Sequence, residues 1–225
     1  GSKARIACWA VEPELLPTAE LVVVAQDLVA DEMDRYGFTL TVSTPEQSQS
    51  ARVQLPLISR VQVLNALAAS TMAIAAGVPF QQIVHALQTA TNRSEWRMAA
   101  DTIELADGQA VVINDAYNAN PGSMRAALET LASIATKQRA QGIGTRSVAV
   151  LGDMLELGAD AAQIHRDLGA QAADLGIDEV LAVGEFAADI VAGCKARRPD
   201  LTAHAVSKAE VVDALPLRAG DVVLA

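Results

Sequence analysis

Aromatic residues, cysteines and basic residues are all scarce in this sequence of 225 residues. Aromatics make up 3% of the chain against 51% hydrophobic residues, so any core must be built from Ala, Val, Leu and Ile. Cys8 and Cys194 match no metal-binding spacing, and free thiols in a reducing compartment are the simplest interpretation. Lys and Arg number 17 against 27 Asp and Glu, and this net charge of −10 argues against charge-driven binding to nucleic acid or anionic membranes.

Four sequence signals are missing as well. No apolar run is long enough to span a bilayer, and the start of the chain has no signal-peptide pattern, so we expect a cytoplasmic protein without membrane insertion. The absence of G-x-G-x-x-G after any predicted strand argues against a Rossmann dehydrogenase. No G-x-x-x-x-G-K-[ST] phosphate loop occurs either. The nearest Gly-rich segment, 142–146, precedes a predicted strand and is therefore expected to be an ordinary loop.

One stretch, 110–128, carries the clearest pattern. The apolar run 110–113 predicts a buried strand, and the polar segment 114–120 predicts a loop. Asn120 is a preferred N-cap and Pro121 suits the first helical position, so a helix is expected to begin there. Polar side chains at the end of a strand and beside a helix N-terminus are well placed to bind a ligand, although an ordinary strand-to-helix connection with a good cap fits equally well.

Strands and helices alternate from residue 101 onward, which predicts a mostly parallel sheet covered on both faces. The first 58 residues instead suggest strands and loops, with Trp9 in the core. Two helices are predicted after them. The first should turn inward a large apolar face made of Val61, Leu64, Ala68, Met72 and Ala75. The second should turn Ile83, Val84 and Leu87 inward.

A second polar loop, 152–158, follows the predicted strand 147–151. Its Asp153 and Glu156 should stand at the same sheet edge as Asp115, where two acids could serve acid–base chemistry, a cation or an amine. A solvated acidic loop is one alternative. Another is that Asp153 only ties down its own loop through local backbone hydrogen bonds. The ligand spacing is not diagnostic of a metal site, and none is predicted. His165, on the next helix, is expected to face solvent.

Three segments, taken together and in order, resemble one family. They are 114–124 (NDAYNANPGSM), 149–158 (AVLGDMLELG, with His165 beyond it) and, less fully, 63–69 (VLNALAA). The chain is therefore similar, from about residue 57 onward, to the Mur ligases that add D-alanyl-D-alanine. It departs from the family pattern before the first helix, where Ser59-Arg60-Val61 stands in place of Gly-x-His.

The resemblance implies roles for particular residues. It places Asn65 near the adenine of ATP, and Arg97 and Asp115 on the nucleotide. It assigns Tyr117, Asn118 and Asn120 to the interdomain cleft that shapes the substrate site. Asp153 and Glu156 are expected to bind the incoming dipeptide, and either carboxylate could hold its ammonium group.

The resemblance also implies a fragment. Residues 1–97 would be the end of the central ATP-binding domain, with 93–98 as a connector, and residues 98–225 a Rossmann-like three-layer C-terminal domain that is incomplete at its end. The phosphate loop, the catalytic residues and the Mg²⁺ ligands would lie outside this chain. The parent would be a monomeric, ATP-dependent carboxylate–amine ligase joining D-alanyl-D-alanine to UDP-N-acetylmuramoyl-tripeptide in peptidoglycan synthesis. The remaining alternative is a non-catalytic α/β module that binds a nucleotide or a partner through residues 114–120.

Overall fold

The computed structural model describes residues 7–13, 19–92, 94–143 and 145–225. Arg93, in the predicted connector, and Gly144, in the predicted loop 142–146, lie outside the described residues. The chain divides into two compact units, Gly1–Arg93 and Ser94–Ala225. Among the described residues, no helix is both long and apolar enough to cross a membrane.

The first unit is a sheet with two helices that follow it in sequence. Its elements are β1 (Ala7–Val11), β2 (Leu21–Ala30), β3 (Arg35–Ser43), β4 (Ser48–Ile58), α1 (Val61–Ala75) and α2 (Phe80–Gln88). The strands lie in the order β1-β2-β3-β4, with β1 parallel to β2 and the other pairs antiparallel. Alternate residues of the strands form the core together with one side of each helix, as the period of two predicts.

The predicted inward face of α1 is wrong. Val61, Leu64 and Met72 are 39%, 40% and 71% exposed, and the buried residues are Val63, Ala66, Leu67, Ser70 and Thr71. The two hydroxyls can be buried because they donate to the carbonyls four residues earlier, over 2.7 Å in each case. Trp9 is also not in the core. It is 43% exposed on β1, which lies at the edge of the sheet with β2 as its neighbour among the described strands.

The second unit alternates strands and helices as predicted. Its elements are β5 (Ala99–Leu105), β6 (Gly108–Asn114), α3 (Pro121–Ala140), β7 (Ser147–Leu151), α4 (Ala161–Asp174), β8 (Glu179–Ala182), α5 (Ala187–Arg197), β9 (Thr202–Ala205), α6 (Val211–Ala214) and β10 (Val222–Leu224). The strand order is β5-β6-β10-β7-β8-β9, and only the β5–β6 hairpin is antiparallel. The predicted α/β class with a mostly parallel sheet is confirmed.

The last strand, β10, lies in the middle of this sheet. It inserts between β6 and β7, and Val222, Val223 and Leu224 are all at most 3% exposed. A central parallel strand is buried on both faces, which explains why its sequence is continuously apolar. Because β6, β10 and β7 are parallel neighbours, their carboxyl ends meet at one edge, and the two polar loops that follow β6 and β7 meet there too.

Helices α4 and α5 pack against each other through glycines. A Cβ added at Gly169 would lie 1.9 Å from the Ile190 carbonyl oxygen, and one at Gly193 would lie 1.9 Å from that of Arg166. The two backbones therefore approach too closely for any side chain at these positions. This contact fixes α5 against α4, and the N-terminal end of α5 contributes to the carboxyl edge of the sheet.

Candidate functional site

The loop 114–120 ends in a well-formed helix cap. The Asn120 side-chain oxygen accepts a hydrogen bond from the Ser123 N–H at 3.0 Å, and the Ser123 hydroxyl oxygen accepts one from the Asn120 N–H at 3.1 Å. Pro121 occupies the first helical position, where its missing N–H costs nothing. The predicted start of the helix is confirmed. The Asn120 side chain is engaged in this cap, and its role toward a substrate stays a prediction.

Asp115 is fixed at both its backbone and its side chain. Its N–H donates to the Ala225 carbonyl at 2.7 Å, beyond the end of β10, and its carboxylate accepts from the Met98 N–H at 3.0 Å. Burial raises the pKa of this carboxyl, while the Met98 N–H and the Arg97 guanidinium oppose that rise. A partly buried, positioned carboxylate of this kind is well suited to accept hydrogen bonds from a ligand hydroxyl.

Arg97 lies on the ring of Tyr117. The guanidinium carbon is 4.1 Å from the ring centroid, a cation–π contact. The Tyr117 N–H also donates to the Trp96 carbonyl at 3.0 Å. Together with the hydrogen bond from Met98 to Asp115, these contacts hold residues 96–98 beside the loop 114–120. Trp96 and Met98 have φ of +60° and +45°, a backbone conformation that non-glycine residues rarely adopt and that the surrounding contacts must maintain.

A cavity of about 320 Å³ opens at the carboxyl edge of the second sheet. Residues 115–119 line one side, and Val150, Gly152, Asp153 and Leu155 line the other, with Met124 and Ala225 also at its wall. The structure thus brings Asp115, Tyr117, Asn118 and Asp153 around one space. Arg97, Asn120 and Glu156 belong to the same unit but do not line the cavity. The Asn118 side chain accepts from the Ala119 N–H at 2.9 Å.

Asp153 is tied to a different segment from the one expected. Its two carboxylate oxygens accept from the backbone N–H groups of Glu185 at 2.8 Å and Phe186 at 3.0 Å, just before α5 begins. A carboxylate at a helix N-terminus is stabilised there. Asp153 thus binds backbone, but in a segment 32 residues further along the chain and not in its own loop as the alternative predicts. Glu156 is exposed with φ of +63°, and the dipeptide role of either acid stays a prediction.

His165 is buried, so the expectation that it faces solvent is wrong. Its exposure is 0%, its Nδ1 pairs with the Ala161 carbonyl at 2.7 Å, and its Nε2 accepts from the Met154 N–H at 2.9 Å. The helical period carries the missed signal. Ala161, His165, Leu168 and Ala172 recur at i, i+4, i+7 and i+11 and are all buried, which is the spacing of a core-facing stripe.

Asn65 belongs to the first unit and lies on the exposed surface of α1. Its side-chain amide donates to the Gln62 side chain at 3.2 Å, one turn earlier. Its expected place near adenine stays a prediction. No group of three or more His, Cys, Asp or Glu side chains that could hold a metal ion occurs in the described parts of the chain.

Comparison with known proteins identifies the family. The model of the Mur ligase glutamate ligase domain matches residues 96–225, more than half of the chain. The chain belongs to the Mur ligase family. A UDP-N-acetylmuramoyl-tripeptide–D-alanyl-D-alanine ligase of Mycobacterium tuberculosis is 42% identical over 154 residues, which cover 68% of this chain and 28% of that protein. The chain therefore spans less than a third of this relative.

Solved structures agree with this assignment. A crystal structure of MurF from Acinetobacter baumannii superposes with a TM-score of 0.69 at 30% identity, covering 92% of this chain and 42% of that one. MurF from Thermotoga maritima in complex with ADP covers the same shares with a TM-score of 0.59. At 19% identity, the second likeness shows the fold alone. The resemblance to the D-alanyl-D-alanine-adding Mur ligases is confirmed.

Proposed function

We propose that this chain is part of an ATP-dependent ligase that joins D-alanyl-D-alanine to UDP-N-acetylmuramoyl-tripeptide in peptidoglycan synthesis. One observation carries the proposal. The loops after β6 and β7 surround a single cavity in a unit that belongs to the Mur ligase family. The proposed reaction is the one in the names of the relatives. The proposed binding site is the open cavity at the carboxyl ends of the parallel strands, where ligands of α/β sheets usually bind.

On this proposal the nucleotide lies on the side of the cavity formed by residues 96–98 and 114–118. The Asp115 carboxylate accepts hydrogen bonds from ribose hydroxyls, and Arg97 pairs with phosphate or ribose oxygens while Tyr117 supports its guanidinium. The family resemblance supports a separate role for Asn65 near the adenine of ATP. When bound, ATP supplies the phosphoryl group that activates the peptide carboxylate. The Mg²⁺ that accompanies it has no ligand cluster among the described residues, so its ligands are expected elsewhere in the ligase.

The dipeptide is assigned to the opposite side. Its ammonium must lose a proton before it attacks, and a carboxylate nearby holds it in position for that step. Asp153 lines the cavity but already accepts two backbone hydrogen bonds, whereas Glu156 is exposed in the same loop. Tyr117 and Asn118 complete the wall between the two substrates, and Asn120 holds the loop by capping α3.

We also propose the domain limits 1–97 and 98–225, for the central and C-terminal domains, and a monomeric cytoplasmic enzyme. The compact units divide four residues earlier, between Arg93 and Ser94.

The test is turnover by a full-length ligase that contains this segment. Phosphate release and product mass are measured with UDP-N-acetylmuramoyl-tripeptide, ATP and D-alanyl-D-alanine, with L-alanyl-L-alanine and D-alanine as matched amines. We expect a product that contains the D,D-dipeptide and little reaction with the other two amines. Preferential addition of a single amino acid, or nucleotide binding without any amide product, would refute the proposal, and the second result would favour a non-catalytic module.

A further inference from the structure

The loop 152–158 is anchored at two consecutive residues. Asp153 binds the backbone before α5, and the next residue, Met154, donates its N–H to His165 Nε2 at 2.9 Å. A backbone N–H can only donate, so Nε2 carries no proton and the ring proton lies on Nδ1, which donates to the Ala161 carbonyl. The Met154 side chain is itself 1% exposed. Both anchors therefore hold the loop from its buried side.

Phe186 joins the two anchors. Its N–H binds Asp153, and its ring stacks on His165 with centroids 4.5 Å apart and planes 15° apart. The neighbouring Gly184 has φ of +113°, and a Cβ there would lie 2.2 Å from an Asp153 carboxylate oxygen. The close approach of these two segments thus requires glycine. Residues from the β7 loop, from α4 and from the start of α5 form one connected group.

This group presents Leu155 to the cavity. Leu155 follows directly after the two anchors, is 76% exposed and lines the cavity with Asp115 and Tyr117. Glu156 then turns the chain in the left-handed conformation. Because its backbone is already fixed at the cavity, only the side-chain rotamers of Leu155 remain to be ordered when a substrate covers it. Its exposure in the free protein is therefore suited to an apolar group arriving from solution.

We propose that Leu155 is a specificity-determining residue that packs on an apolar side chain of the amine substrate, and that His165 and Asp153 are the positioning residues that hold it there. The proposal rests on the function proposed above, because it assigns the amine to this side of the cavity. On that function the amine carries two methyl groups. A site that packs on a methyl group discriminates against a substrate lacking it by about tenfold or more.

Specificity is tested at Leu155 in the full-length ligase. The ratio of kcat/KM for D-alanyl-D-alanine to that for glycylglycine, which lacks both methyl groups, is compared between the wild type and Leu155→Ala. We expect the ratio to fall about tenfold, with the KM for ATP unchanged. An unchanged ratio would overturn the role of Leu155, since a purely structural effect lowers both values of kcat/KM together.

Positioning is tested at His165 with two variants of similar volume. Glutamine offers an acceptor oxygen where Nε2 stood, whereas leucine offers none and leaves the Met154 N–H unpaired. We expect His165→Leu to raise the KM for the dipeptide about tenfold and His165→Gln to leave it near the wild-type value, with the KM for ATP little changed in both. The matched control is His204→Leu, at an exposed histidine on β9. Equal dipeptide KM values in both His165 variants would refute the anchoring role.

A readout without turnover keeps this test separate from the proposed function. Amide hydrogen exchange at Met154 is measured in the 225-residue chain and in both His165 variants. We expect the Met154 amide to exchange at least about tenfold faster in His165→Leu than in the wild-type chain, and at close to the wild-type rate in His165→Gln. If the wild-type ligase failed to use the dipeptide, the proposed function would be refuted. The exchange rate at Met154 would still show whether His165 anchors the loop. Equal exchange in all three proteins would overturn the anchor itself.

Discussion

Replacing Asp115 by asparagine keeps the shape of the side chain and removes its charge. The amide oxygen can still accept the Met98 N–H that the carboxylate accepts at 3.0 Å. What disappears is a charged acceptor that burial has made costly to ionise, since burial is the largest influence on the pKa of this carboxyl and raises it. The substitution therefore separates the stability of the fold from the binding of the nucleotide.

The sign of the stability effect follows from the raised pKa. A carboxyl whose pKa is raised by folding contributes stability that is complete below its ordinary pKa of 3.8 and is lost as the pH rises through the folded-state value. At pH 7 the ionised Asp115 thus destabilises the fold relative to the Asp115→Asn variant. We expect that variant to have the higher Tm at pH 7, and the difference to close as the pH falls below 3.8.

The same Asp115→Asn substitution should weaken the binding of the nucleotide. Loss of one charged hydrogen bond costs about 1.5–3 kcal/mol, which corresponds to a rise of about ten- to a hundredfold in the KM for ATP. The assay is phosphate release by the full-length ligase with ATP varied, beside thermal unfolding at several pH values. Asp101→Asn, at an exposed carboxylate on β5, is the matched control. An unchanged KM for ATP together with a lowered Tm would make Asp115 a structural residue and refute the reasoning.

Four further predictions concern packing, thiol chemistry, the acidic loop and competence. Gly169→Ala should lower the free energy of unfolding by about 1–3 kcal/mol, whereas Gly152→Ala, whose added methyl meets nothing within 4 Å, should not; equal Tm values would contradict the close contact of α4 with α5. Cys194, whose pKa burial raises to about 11, should resist a thiol reagent at pH 8 that labels the half-buried Cys8, and equal labelling rates would contradict its burial. Asp153→Asn should raise the KM for the dipeptide more than that for ATP and lower the Tm, while equal losses would leave Asp153 a backbone-binding role only. The 225-residue chain alone, which has no phosphate loop, should not hydrolyse ATP, and turnover by it would overturn the interpretation as a fragment.

Local signals predicted most of the second unit. The strand 147–151 and the start of α3 are where the apolar run and the Asn-Pro cap placed them. These features depend on neighbours within a few residues, so they can be predicted from local sequence patterns. The place of β10 between β6 and β7 depends on pairing with strands more than 70 residues away in the sequence, and no local pattern encodes it.

The failed predictions share a cause. Apolar and small residues surround α1 on several sides, so composition could not decide which stripe faces the sheet, and Ser70 and Thr71 are buried because their hydroxyls bond within the helix. The helical stripe of residues 161, 165, 168 and 172 could have predicted the burial of His165. The partner of its Nε2, a backbone N–H eleven residues earlier, is not encoded in any local pattern. The partners of Asp153 lie 32 and 33 residues further along the chain. Such polar contacts are set by the tertiary fold.

On the proposed function, the nucleotide and the dipeptide both bind at the carboxyl edge of the second sheet. Hydrogen exchange of the full-length ligase, alone, with a non-hydrolysable ATP analogue, and with the analogue plus D-alanyl-D-alanine, tests it most directly. We predict slower exchange at residues 96–98 and 114–118 with the analogue, and additional slowing at residues 152–158 with the dipeptide. Residues 104–109 and 218–221, at the opposite edge of the same sheet, should not change. Slowing confined to that opposite edge, or none in residues 94–225, would contradict it.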